Sequence, residues 1–556
     1  AYVVTADMRH PYYVYVGLQD NGSWGGPSAV RGRGGIMNSH WFGIGGGDGF
    51  YTAVDPTDYN IVITESQDGA TNRYNLAAGG RGQSIRPTAG GRGGRGFGGG
   101  GGGGGRAGTA PAAAGAPGAT PNPEQQPAPP VQIGGQGGFG GRGGAPNVIN
   151  AIPGDTYRFN WNTPVIMSPH NPKIVYLGGN RLFKSYNQGD TWVASAEDLT
   201  KKIDRNTVPM MGAPGNVTQL SKNDGVVSYS TIITISESPV MPGVVWAGTD
   251  DGNLQVSRDG GMTFTEVGKN LPGLPPNHQY WISRVDASHF DQGTAYLAVD
   301  GHRSDDLKPY VFVTRDFGKS FESVTGNLPP FGNVQVIRED PKNKDLLYVG
   351  TEFGLFVSLD CGKGWQKFMN NYPTVRTDDI LVHPRDNDLI VATHGRSVFI
   401  ADDITPLQQL TPAVRDSDAT LFDIRPAMAW LNDQQNNQQV GGQKTFIGEN
   451  APRGAAINYY LKSGASGDVK ISIADVSGRV IRTLDGPKTA GINRVMWNLA
   501  PAPPPGQAGG GFGGFGGGRG GAGAVEPGTY IVTLDVAGKK FTKPVQVLQD
   551  RWLNER

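Results

Sequence analysis

The sequence predicts an all-β chain. A β-propeller of about seven blades spans residues 1–410, closing alone or as part of a larger propeller array, and an immunoglobulin-like β-sandwich follows over 426–556. Three observations carry this. An apolar phrase recurs about seven times at a period of roughly 45 residues once one insertion is removed, which is the spacing of propeller blades. The strands are short and alternate apolar with polar residues. Glycine (87) and proline (40) are frequent enough in 556 residues to require a turn-dense fold, low-complexity segments, or both.

At roughly 100–200 residues per domain, the length admits two to four domains or one repeat array with an extra domain. Lys+Arg and Asp+Glu are equal at 49 each, so overall charge gives no reason to expect nucleic acid or an acidic membrane as partner. No apolar run approaches the roughly 18 residues that cross a bilayer, so no membrane span is expected. Cys361 is the single cysteine, which excludes an intrachain disulfide and a thiolate metal cluster. The chain opens at Ala1 without a leader pattern and reads as a mature or truncated form.

Two stretches stand outside the repeats. Residues 78–150 hold the glycine run Gly98 to Gly105 and an Ala/Pro tract, and residues 502–526 are similar in composition. Neither can bury enough apolar surface to offset the entropy of ordering, so both are expected to be disordered insertions. The first is expected to emerge beside the channel face and the second to extend a hairpin between Leu499 and Pro527. The Arg-Gly-Gly stretches around Arg92 and Arg142 have the composition of single-strand RNA-binding tracts. They are short and the chain is neutral, so they read as linkers with solubilising arginines.

The repeated phrase is a Pro-containing or polar turn, then an apolar strand ending in glycine or a small residue. It reads HPYYVYVG from His10, DPTDYNIVITES from Asp55, SPHNPKIVYLGG from Ser168 and SPVMPGVVWAGT from Ser238. It continues with SHFDQGTAYLAVD from Ser288, DPKNKDLLYVGT from Asp340 and HPRDNDLIVATHG from His383. A polar box rides on it: SYNQGDTW from Ser185, SRDGGMTF from Ser257, TRDFGKSF from Thr314 and SLDCGKGW from Ser358, with SQDGATNRY from Ser66 as a weaker copy. In such a box the Ser and Asp side chains bond the turn backbone and glycine takes the φ > 0 position. Its role is structural.

These boxes fit the pattern Ser-x-Asp-x-Gly-x-Thr-Trp and resemble the Asp boxes of sialidases, xyloglucanase-type glycoside hydrolases and the sortilin-type propeller. The strings GLQDNGSWGGPS, GGDGFYTAVDP, YRFNWNTPVIMSPHNP and THGRSVFIADDITPL resemble a bacterial group of BNR-repeat "glycosyl hydrolase" or sortilin N-terminal-like proteins, over roughly residues 1–410. The resemblance implies an exported protein, secreted, periplasmic or at the cell surface. Members are usually longer on the N-terminal side, so the chain is expected to open mid-repeat. Residues 411–425 read as a connector. The run from Asp468 to Leu499, closed by Pro527-Gly528-Thr529-Tyr530, resembles an Ig-like module of the flagellar hook-cap type, which implies a spacer or an attachment to a cell-surface or extracellular partner protein.

In Asp-box propellers the four strands of a blade run outwards from the axis, and the box is the turn between the third and fourth. The resemblance therefore puts the remaining turns on the opposite face, around the central channel, where propellers bind ligands. Turns between second and third strands would bring Gln19, Asp20 and Asn21; Glu65; Asn180 and Arg181; Asp250 and Asp251; Asp300, His302 and Arg303; Glu352 and Phe353; and His394 and Arg396. Turns before first strands would add Asp48; Asn160, Trp161 and Asn162; His278, Tyr280, Trp281 and Arg284; and Arg376, Asp378 and Asp379. The plainer reading of the same residues is a set of polar ties between blades around a solvated channel.

Three functions compete. The first is a binding or scaffold protein that recognises a peptide or a glycan on the channel face through Asp20, Asn21, Asp48, Asn160, Trp161, Arg181, Tyr280, Trp281, Arg284, His302, Arg303, His394 and Arg396. The sortilin-like resemblance motivates the peptide version. The second is a glycoside hydrolase, which needs two carboxyl groups about 5–9.5 Å apart across the scissile bond. Asp250, Asp251 and Glu352 are its catalytic candidates, because GTDDGNLQVS resembles the turn that holds a catalytic Asp in xyloglucanase-type enzymes. The third is a structural cell-surface module. A sialidase is disfavoured, since the Arg-Ile-Pro element is missing and no carboxylate-gripping arginine triad can be assigned. No HExxH, Cys/His metal spacing, Gly-x-Ser-x-Gly elbow or phosphate loop is present, so neither metal nor cofactor is expected.

Overall fold

A computed structural model of the chain describes residues 1–32, 34–89, 146–209, 213, 228–431, 446–503 and 524–551. The readings placed on the Gly98–Gly105 run, on Arg92 and Arg142, and on 504–523 lie outside the described residues. Among those described, the N-terminal part forms seven antiparallel sheets, each with its strands in chain order; six have four strands and the last has three. Their first strands are Val4–Ala6, Gly49–Val54, Val165–Met167, Ile232–Glu237, Trp281–Ala287, Val334–Glu339 and Thr377–Val382. Each of these touches the first strand of the next sheet, and Thr377–Val382 touches Val4–Ala6, so the set closes into a ring. This is a β-propeller. The first sheet has Val4–Ala6 as its innermost strand.

The recurring phrases are the second strands of the seven sheets, and packing explains their composition. Every residue of Ala295–Asp300 is buried. Ala295, Leu297 and Val299 pack towards the fourth sheet with Trp246, while Tyr296 and Ala298 pack towards the sixth with Ile337 and Val349. A strand covered on both faces reads as a continuous apolar run. The small residue near its end has its own cause. A Cβ on Gly17 would lie 2.2 Å from Phe50 O, one on Gly248 2.6 Å from Ile282, and one on Gly350 2.6 Å from Thr377. In each case the obstacle is the innermost strand of the following sheet.

The four polar boxes share one turn geometry. The Ser or Thr hydroxyl donates to the Asp or Asn side chain (Ser257 Oγ to Asp259 Oδ1, 2.8 Å; Ser358 Oγ to Asp360 Oδ1, 2.7 Å) and accepts from the glycine N–H (Gly261, 2.8 Å; Gly362, 2.8 Å). Two successive residues take positive φ in each turn: Gln188 and Gly189, Gly260 and Gly261, Phe317 and Gly318, Cys361 and Gly362. The weaker copy at Ser66 is different. It joins the second and third strands of its sheet, Ile61–Ser66 and Ala70–Asn75, on the opposite side of the blade.

Asp259 shows the energetics of these turns. Burial works against its charge, but bonds from Thr263, Ser257 and Met262 together outweigh it and hold its carboxyl down at about 2. That lies below the ordinary value of about 3.9, so its contribution is complete above about pH 4 and disappears as pH falls through about 2. Asp259→Ala is expected to cost about 1 kcal/mol at pH 7, since the group is exposed. The deficit should shrink towards zero in melts taken below about pH 3, and a pH-independent deficit would contradict this account.

The first insertion is shorter than its composition suggests. Gln83–Ser84 is the fourth strand of the second sheet, and Ile85 and Val148 are buried in the same apolar cluster as Trp192. The two ends meet where Thr88 N donates to Asn147 Oδ1 at 2.8 Å and Asn147 N to Thr88 O at 3.1 Å.

The C-terminal part is a two-layer β-sandwich. One sheet holds Ala419–Leu421, Ala455–Leu461 and Gly491–Trp497; the other holds Ala427–Ala429, Lys539–Gln549, Gly528–Val536, Val469–Ala474 and Val480–Asp485. Ala419–Leu421 therefore belongs to a sheet, although the sequence reads it as connector. The strands on either side of the glycine-rich stretch, Gly491–Trp497 and Gly528–Val536, belong to different sheets and so are not the two arms of one hairpin. Trp497 and Tyr530 meet edge to face across them at 5.5 Å. The sandwich is tied to the propeller by Arg31–Asp550 (2.8 Å) and Arg425–Asp388 (2.6 Å), and by Arg494 donating to Asp403 O (2.8 Å).

Candidate functional site

The innermost strands begin around one small pocket at the axis. Five sheets line it through their first strands, with Tyr51, Ile233, Trp281, Arg284, Gln335 and Asp378; Tyr2, Asn162 and Arg376 add to it from just before first strands, Asp300 from the end of the fifth sheet's second strand and Arg303 from the turn that follows. The cavity is about 70 Å³, room for a few waters.

Its floor is an ion-pair chain. Arg284 Nη2 lies 3.1 Å and Arg338 Nη2 3.0 Å from the same oxygen of Asp379, and Arg338 Nη1 lies 3.0 Å from Asp286 Oδ1. The other Asp379 oxygen accepts from Val4 N at 3.1 Å. Burial opposes the Arg338 charge, but Asp379 and Asp286 outweigh it and raise its pKa. Between them, these groups occupy the axis below the pocket.

The rim above is polar and less completely paired. Asp300 Oδ2 receives His302 Nδ1 at 2.7 Å and Gln335 Nε2 at 3.3 Å, and Arg303 Nη1 stands 3.5 Å away. Burial works against the Asp300 charge, but the His302 bonds and the Arg303 charge hold its carboxyl below the usual range. Arg303 sits over Trp281, its Cζ 3.5 Å from the ring centre. Burial lowers its pKa, as does the neighbouring Arg376 charge, while Asp300 raises it. Arg376 donates Nε to Asp378 Oδ1 at 2.7 Å; among the described residues its terminal nitrogens have no partner. Three buried polar atoms of lining residues make no hydrogen bond: Asn162 Oδ1, Arg284 Nε and Asp378 Oδ2. The last lies 3.4 Å from His394 Nδ1.

Of the residues singled out in the sequence, Trp281, Arg284 and Arg303 line this pocket together with Asn162, Asp300, Arg376 and Asp378. His302 and His394 sit behind it on Asp300 and Asp378. The others are dispersed. Asp20 N donates to Asp48 Oδ1 at 2.7 Å between the first two sheets, and Asn21 is exposed beside it. Burial raises the Asp48 carboxyl. Trp161 packs edge-on to Phe50. Arg181 is spent on the carbonyls of Ser195 and Ala196, at 2.7 and 2.5 Å. Tyr280 donates to Asp306 at 2.9 Å, and Arg396 is exposed.

Asp250 and Asp251 are buried turn anchors. Asp250 accepts from Thr231 N and Oγ1, both 2.8 Å, and from Asn160 Nδ2 at 3.0 Å. Burial pushes its carboxyl up to about 7. Asp251 accepts from Lys201 N at 2.8 Å and Thr249 Oγ1 at 2.5 Å. Glu352 is half-buried in the corresponding turn of the sixth sheet, its N–H donated to Asn333 O at 3.0 Å. Tyr2, Tyr51, Ile233, Gln335 and the Arg338–Asp286 pair escaped the turn-based reading because they lie in or beside first strands. The available signal was a charged residue inside an apolar strand, as in VQVIRED and WISRVDA.

Ring and pocket together define a β-propeller with a polar opening at its axis. No family model matches the chain. Over 168 residues it is 28% identical to an oligoxyloglucan-reducing end-specific xyloglucanase of Emericella nidulans, a match that spans 29% of this chain and 17% of that enzyme. Among solved structures it is similar to a Niastella koreensis GH74 enzyme (13% identity, TM-score 0.42, covering 97% of this chain and 72% of that one). It is also similar to the GH74 xyloglucanase of Xanthomonas campestris (12% identity, TM-score 0.40, 70% and 50%). Among the described residues, no helix is long and apolar enough to cross a membrane, and no cluster of His, Cys, Asp or Glu is placed to hold a metal ion.

Proposed function

We propose that this is an exported Asp-box propeller of seven blades that binds a glycan at its channel mouth, with an Ig-like sandwich that attaches it to a neighbouring protein. The observation that carries the binding reading is the axial pocket: first strands and the residues leading into them converge on one polar opening in which buried donors and acceptors lack hydrogen bonds. Buried polar groups are ordinarily satisfied, so orphans gathered in one cavity mark a place for something else. The xyloglucanase relative favours a glycan over a peptide. Calorimetric titration with a panel of plant and microbial oligosaccharides tests this, and binding that Trp281→Ala leaves unchanged would place the ligand elsewhere.

A glycoside hydrolase is the second reading. What favours it is Asp250, whose carboxyl, pushed up to about 7, is poised for proton transfer near neutral pH. Its three donors and its burial oppose direct contact with substrate. If Asp250 is the acid, reducing ends released from polysaccharide should fall at least 100-fold in Asp250→Asn while binding persists. Absence of release from every polymer would leave binding alone.

A further inference from the structure

The axial pocket has unmet hydrogen-bonding capacity of both kinds, and the pattern is specific. Its donors are the terminal nitrogens of Arg376, the Arg303 guanidinium with one 3.5 Å contact to Asp300, and Arg284 Nε, which is buried without a partner. Its acceptors are Asn162 Oδ1 and Asp378 Oδ2, both buried and without a hydrogen bond, the latter 3.4 Å from His394 Nδ1. Arg284 and Asp378 are each more than nine-tenths buried, so these atoms have no recourse to bulk water. Guanidinium forks match planar carboxylates better than they match single hydroxyls. Meanwhile the acceptors call for neighbouring O–H donors on the same ligand.

We propose that the pocket seats the carboxylate of a hexuronate at the end of a glycan, held by Arg303, Arg376 and Arg284, with adjacent ring hydroxyls donating to Asp378 and Asn162. This rests on the glycan-binding reading of the same face. Size agrees: about 70 Å³ takes a carboxylate group but not a sugar ring, so the ring lies at the rim and inserts only its acid. A peptide C-terminus presents one N–H beside its carboxylate, whereas a uronate carries several hydroxyls for the two orphaned acceptors. The site's own carboxylates are already engaged, and Asp378 takes only Nε of Arg376, at 2.7 Å. Asp300 is committed to His302 and Gln335, and Asp379 to Arg284, Arg338 and Val4 N.

The test titrates the full chain with galacturonate and glucuronate oligosaccharides, their methyl esters, the matching neutral oligosaccharides, and a short peptide with a free or amidated C-terminus. Acidic oligosaccharides should bind at least tenfold tighter than their esters, and the advantage should shrink as salt rises. Arg376→Gln and Arg303→Gln should each bring the ratio of acid to ester affinity, measured within the variant, close to one. The acid-to-ester comparison uses the unaltered protein, so it holds even if a variant folds poorly. Equal affinity for acid, ester and neutral sugar would overturn the carboxylate seat and leave glycan binding standing. Binding of the free-acid peptide alone would overturn both, and so would absence of binding by every ligand.

Discussion

Asp379→Ala is expected to destabilise the propeller by about 3–5 kcal/mol, because it takes the shared partner from buried Arg284 and half-buried Arg338 at once. Asp379 is the one carboxylate shared by Arg284 (3.1 Å) and Arg338 (3.0 Å), and it also receives Val4 N. Its removal leaves Arg284 without an ion pair and Arg338 with Asp286 alone. The arginine charges cannot be relieved by deprotonation, so the desolvation cost is borne in full. Val4 belongs to the first sheet and Asp379 to the seventh, so the same change loosens ring closure. Chemical unfolding followed by tryptophan fluorescence reads the effect, and a loss below about 1 kcal/mol would mean that water already screens this chain.

Trp192→Ala should cost a similar amount, about 3–5 kcal/mol, by a different route. The side chain is fully buried and packs with Ile85, Val148 and Phe183. Its Nε1 donates to Ile85 O at 2.7 Å, and its backbone N donates to Asn147 O at 2.8 Å. Truncation therefore opens a cavity, orphans a buried carbonyl and releases both ends of the glycine-rich insertion. Limited proteolysis should then cut between residues 85 and 150 well before the rest of the ring. Trp192→Phe keeps the packing and loses one hydrogen bond, so about 1 kcal/mol is expected. If the two substitutions cost the same, cavity formation is not the source.

The repeat was legible because each blade solves the same packing problem. A second strand must be apolar on both faces and small where the next inner strand crosses it, and YVG, YLG, WAGT and YVGT record that requirement at Gly17, Gly178, Gly248 and Gly350. The box turns were legible for a similar reason: Ser, Asp and Gly satisfy the turn backbone locally, whatever surrounds it. Trp281, Arg284 and Arg303 were within reach as candidates, since turns at strand starts carry most of the exposed polar residues. The boundaries that shift, at 78–150 and 411–425, come from composition outweighing one or two apolar residues. Ile85, Val148 and Leu421 are too few to register in a window, yet each is buried.

By itself, then, the sequence determined the element type, the repeat and its turns, because these follow from interactions within about ten residues of one another. Only the tertiary structure decided which polar residues share a site. Arg284, Arg303 and Arg376 are spread over some 90 positions, and nothing local distinguishes them from Arg181, which is consumed by its own blade's carbonyls. Closing the ring brings the first strands together at the axis, and that convergence alone sets which charges neutralise one another on the pocket floor and which remain unpaired at its mouth.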